Sequence, residues 1–162
     1  MAPAELAQRF PLISRRPAPL HPLLALLAGF QQALDTQFDA CRHDAAALPR
    51  LRAGLELLCR LQETVLHPAL CASRPAAWPD LGRAMAGVQA LRDLAVLSQC
   101  VDTGGQPAIA ALLEGVAQLQ FASLDELLAE ADASAMPWGE LECLALALLV
   151  GWQASDRATL NC

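Results

Sequence analysis

Apolar residues recur at helical spacing along most of this chain, and the clearest run lies between Arg50 and Leu70. There Leu51, Leu55, Leu58, Gln62, Val65 and Ala69 share one face, with Leu48, Leu61 and Leu66 widening it. Arg52, Glu56, Arg60 and Glu63 fall mostly elsewhere, as a solvated face requires. Pro49 fits a first helical turn, where its missing N–H costs nothing. Gln62 breaks the stripe: a primary amide facing a core needs partners, or it costs about 1–3 kcal/mol. It either pairs with a neighbouring helix or lines an internal site.

The same periodicity predicts a first helix over about 20–38, with Leu20, Leu24, Leu27, Gln31, Leu34 and Phe38 inward. A third helix is expected over 80–98, carrying Leu81, Met85, Val88, Leu91, Leu94 (or Ala95) and Val96. Gly104, Gly105 and Pro107 end it. A fourth covers 107–122. Ser123-Leu-Asp-Glu126 matches a capping box, so a separate short helix is expected to about 131. The last runs from Trp138 to Ala154 and is apolar almost all round beyond Leu141, which places it centrally or at a subunit contact. With no strand-like alternation, the fold class is all-α, a four-to-five-helix bundle of up-down type. Residues 1–19, with four prolines, form an arm; 20–154 form the bundle; 155–162 form a tail.

Composition narrows the function. Charged residues make up 17% of the 162-residue chain against a usual ~25%, so either the core is generous or a partner covers apolar surface. A net charge of −6 with no basic stripe argues against nucleic acid and against anionic membrane surfaces. No stretch reaches the ~18 apolar residues of a membrane span; Leu141–Trp152 comes nearest. The beginning of the chain lacks a signal-peptide pattern, so a cytoplasmic location is expected, with the six cysteines reduced.

The segment ETVLHPAL at 63–70 resembles the close of a helix in the hemerythrin-like (HHE cation-binding) family. The order of helices and His21 near the start of the first also resemble that family. The resemblance implies a four-helix frame in which His and carboxylate ligands hold two irons. His21 matches the first-helix ligand; Leu58 and Gln62 stand where a His and a carboxylate would fall, with Glu63 just outside the pattern. Gln120 and Leu124 occupy the corresponding places on the fourth helix, and the last helix has no His. With three His in the chain, the resemblance implies a frame without its di-iron site, and no cofactor is expected. Gln31, Gln62 and Gln120 would be the remnant of a polar interior, bonded across the bundle.

Other chemistries find little support. Cys41-x-His43 and Cys59 with His67-x-x-x-Cys71 carry zinc-type donors without the tight paired spacing of a structural site, and Pro68 disturbs the second set. His67, near a helix C-terminus, would complement the dipole when protonated. There is no nucleophile elbow and no phosphate loop. Asp125, Glu126, Glu140 and Glu142 suit helix first turns. The expectation is a non-enzymatic bundle acting in protein–protein association, as a homo-oligomer or with a protein partner. Trp138 and Trp152 are its candidate interface anchors. The alternatives are a metal- or haem-binding sensor, or a carrier of a small apolar ligand beside His21, Leu58 and Gln62.

Overall fold

The structure, a computed structural model, describes residues 22–73, 78–131 and 136–160. His21 and the 1–19 arm lie outside them. The described residues are almost entirely helical and contain no strand: α1 Pro22–His43, α2 Leu48–Leu61, a π-helical turn Gln62–Leu66, α3 His67–Ser73, α4 Trp78–Leu97, α5 Gln106–Glu130 and α6 Trp138–Leu160. The chain is an all-α bundle.

α2, the π turn and α3 form one unbroken rod, because the residues joining them keep right-handed helical angles. The link from α1 is short. Asp44 accepts a bond from the Ala46 N–H and caps a single 3-10 turn, Ala45–Ala47. α1 and α2 therefore fold back on each other.

Cross-helix pairs fix the remaining directions. Arg42 bonds Glu114 while Phe30 meets Phe121 edge-on at 6.3 Å, so α1 and α5 are antiparallel. Arg52 reaches Ser98, and Cys59 reaches the Val88 carbonyl, so α2 and α4 are antiparallel too. α4 packs on α5, which closes a four-helix unit. α6 contacts α1, α2 and the π turn, so it lies along the groove between the first two helices.

That groove depends on Gly54. A Cβ there would stand 2.6 Å from Leu34 Cδ2 and 2.9 Å from Gln37 Oε1, so glycine permits the close approach of α1 and α2. Trp152 sits over the same spot and meets Phe30 edge-on at 5.3 Å.

Three boundaries differ from expectation. α5 is one helix of 25 residues, and Ser123 caps nothing. Its buried positions Ala117, Gln120, Phe121, Leu124, Leu127 and Leu128 keep one phase through the capping-box sequence, so packing overrides the local signal. α1 runs on to His43 and α6 to Leu160, past the expected ends at Phe38 and Ala154. By length and composition α5, rather than Leu141–Trp152, is the one helix among the described residues apolar enough to cross a membrane. Its inner face packs into the bundle.

Candidate functional site

Among the described residues the polar interior centres on the π turn. The His67 N–H bonds the Gln62 carbonyl, five residues back, so these two side chains bracket the widened turn. Pro68 supplies the reason. In a regular α-helix its ring would collide with the carbonyl of residue 64, and a π turn just before it relieves that clash while letting the helix continue. Thr64 Oγ1 meanwhile bonds the Arg60 carbonyl at 2.6 Å.

Both bracketing side chains are enclosed without protein partners. Gln62 has no exposed surface, and neither its Nε2 nor its Oε1 finds a hydrogen bond. His67 is 4% exposed, and both ring nitrogens are unpaired. Burial pushes the His67 pKa down, and Glu63 only partly offsets this, so the ring is neutral near pH 7. The sequence placed His67 near a helix C-terminus, where it would complement the dipole when protonated; the rod does not end there, so the imidazole is inside. On the outer side of the turn Arg92 bridges Glu63 at 2.6 Å and Glu56 at 3.3 Å, tying α4 to the rod.

The expected cluster of three glutamines does not form. Gln31 is half-buried at the surface and donates to Gln118 Oε1 at 3.2 Å. Phe30 takes the inward position because the buried phase of α1 is Leu23, Leu27, Phe30, Leu34 and Phe38. Gln120 is buried, but its amide lies against Gly87, where a Cβ would sit 1.7 Å from Nε2, and its Oε1 has no partner. Leu58 is fully enclosed in the core. The described clefts are elsewhere: one of about 280 Å³ between Asp80, Arg83, Ser123, Glu126 and Glu130, and a smaller one between Leu24, Gln31 and Phe121.

The thiols divide by depth. Burial pushes the Cys59 thiol up to about 12 and raises Cys41 as well, so both stay protonated and unreactive near neutrality. Cys100 and Cys143 are exposed. The rod continues helically through Pro68, so His67 and Cys71 do lie one turn apart, contrary to expectation. No group of three or more His, Cys, Asp or Glu donors positioned for a metal occurs among the described residues.

Trp138 and Trp152 are both partly buried against the core. The large apolar side chains that do reach solvent are others: Met85 and Val96, which the periodicity counted among the apolar contacts of their helix, lie off its buried phase of Leu81, Ala84, Val88 and Leu91, and the rest were not singled out. α5 exposes Leu112 and Leu119, α4 exposes Met85, Val96 and Leu97, and α6 exposes Leu144, Leu146 and Val150. A signal for them was available, since α5 carries apolar residues on positions its buried phase does not use. Compared with known proteins, the chain matches no family model, no curated protein and no solved structure.

Proposed function

We propose that this is a non-enzymatic helical bundle that acts through protein–protein association, foremost with a second copy of itself, on a hemerythrin-like frame that has lost its di-iron site. The observation that carries the reading is the exposure of long apolar side chains on helices whose inner faces are already packed: Leu119 is 69% exposed and Leu112 57%. Water opposes such surfaces, and on folded proteins they commonly mark contacts with other proteins. The loss of the metal site rests on Leu58 and Gln62 standing where ligands would be sought.

Two differently tagged copies, co-expressed, test this. Each tag should recover the other copy; complete segregation of the tags removes self-association.

A second reading rests on His67. Its two unpaired nitrogens, beside a widened helical turn, suit a bundle that takes up a metal or haem on local opening. Metal analysis and an absorbance spectrum of fresh protein test it; a colourless, metal-free sample rejects it. The carrier reading gains no support, because Leu58 and Gln62 are fully enclosed and line neither described cleft.

A further inference from the structure

In a regular α-helix a side chain stacks over the residue four before it, so His67 would stand over Glu63 on the outer face of the rod. The π turn joins the His67 N–H to the Gln62 carbonyl instead, and the ring stands over Gln62, inside. One extra residue in the turn carries His67 about 100° around the rod. Undoing that turn would move each later residue to the place its successor now holds. His67 would take the exposed place of Pro68, and Leu66 the buried place of His67. Leu70 would take the half-buried place of Cys71, and Cys71 the exposed place of Ala72.

We propose that α3 has two registers on the rod, a π register with His67 inside and an α register with His67 outside, and that protonation of the imidazole selects the second. The device is independent of the association reading above.

Two features hold the π register. It keeps Leu70 buried, and it spares the Pro68 ring a collision with the carbonyl of residue 64. One feature opposes it, since His67 is enclosed with both ring nitrogens unpaired. A neutral ring bears that far more easily than a charged one, because burial disfavours the imidazolium. In the α register the cation lies in water, one turn beyond Glu63, where a carboxylate four residues earlier stabilises it.

The neighbouring charges leave this choice to His67. Glu63, on its own rod, acts on the ring and favours the charged form. On α4, Arg92 is held by Glu56 and Glu63, Arg83 pairs with Asp80, and Asp93 accepts from Gln89. On α6, which packs against the π turn, Leu141, Ala145 and Leu149 are buried, with Glu140 exposed and Glu142 at the margin. The α register binds the proton more tightly, so its share rises as pH falls below the ordinary imidazole value of about 6.5.

Thiol labelling of Cys71 reads the register, in the full chain with Cys100→Ser, Cys143→Ser and Cys162→Ser. Rates are taken relative to the same chain in urea, which removes the thiol's own pH dependence, and imidazole NMR follows His67. Labelling of Cys71 should quicken below about pH 6.5, by up to about tenfold per pH unit, the limit for one linked proton. The buried Cys41 and Cys59 should stay protected meanwhile. His67→Leu should abolish the quickening. Pro68→Ala, which removes the collision, should raise the His67 pKa and quicken Cys71 labelling already at neutral pH. Cys71 labelling that ignores pH in the chain with His67 present, or an unchanged His67 titration in Pro68→Ala, overturns the proposal. So does labelling of Cys41 and Cys59 in step with Cys71, which reports opening of the whole bundle.

Discussion

Between Leu48 and Ser73 the rod at the centre of the bundle sorts its side chains by polarity, with Leu51, Leu55, Leu58 and Leu61 enclosed and Glu56, Arg60 and Glu63 in water. Its exceptions, Gln62 and His67, are polar groups held inside. α5 departs from the rule in the opposite sense, since Leu112 and Leu119 are apolar groups held outside. The inner exceptions lower the stability of the single chain, because unpaired polar atoms lose water without replacing it. The outer ones cost the folded chain little, since they were exposed before folding too. They matter when a second surface arrives. Stability is thus governed from the rod, and association from α5.

The largest effect expected from this contrast is at Leu58. Leu58→Ala should lower the unfolding free energy by about 2–5 kcal/mol, by lost burial plus a cavity. Leu112→Ala should stay within about 0.5 kcal/mol in dilute monomer. Urea unfolding of both variants would measure the difference, and equal losses would abolish the distinction.

Next is Gln62→Met, which keeps the length and removes two unpaired polar atoms. It should raise stability by about 1–3 kcal/mol. A loss instead would show that the amide has a partner in solution.

The smallest effect concerns pH. Burial lowers the folded pKa of His67 below its ordinary 6.5, so the unfolded chain takes up that proton first. The stability this group contributes is present above about 6.5 and is lost as pH falls towards the lower folded value. His67→Leu should therefore weaken the fall in urea midpoint between neutral and mildly acidic solution. Parallel curves for variant and wild type would place the imidazole in water.

What could be read beforehand follows from where one force acts alone. The rod and its inward face were legible because its apolar and charged residues separate cleanly at one period. α5 was misread at Ser123 because a capping signal four residues long competes with burial along the whole helix, and only burial is set by the fold. Gln31 was placed inside on spacing that fits Phe30 one residue earlier, and a single-position shift in phase is hard to resolve when both sides carry apolar residues. For the candidate site, the sequence showed that Gln62 was anomalous. It did not show His67 enclosed beside it, because that depends on a π turn at Pro68 carrying the rod onward.

The seat of α6 bears on how the molecule comes together. The pairs α1–α2, α2–α4 and α4–α5 join rods adjacent in the chain, which favours rapid closure, whereas α1 meets α5 across most of its length. α6 likewise returns to Phe30 and Gly54, far back along the chain, and joins as an outer strap. Until Trp152 arrives, the furrow holding Phe30 stands open to solvent, so the docking of α6 completes the cover.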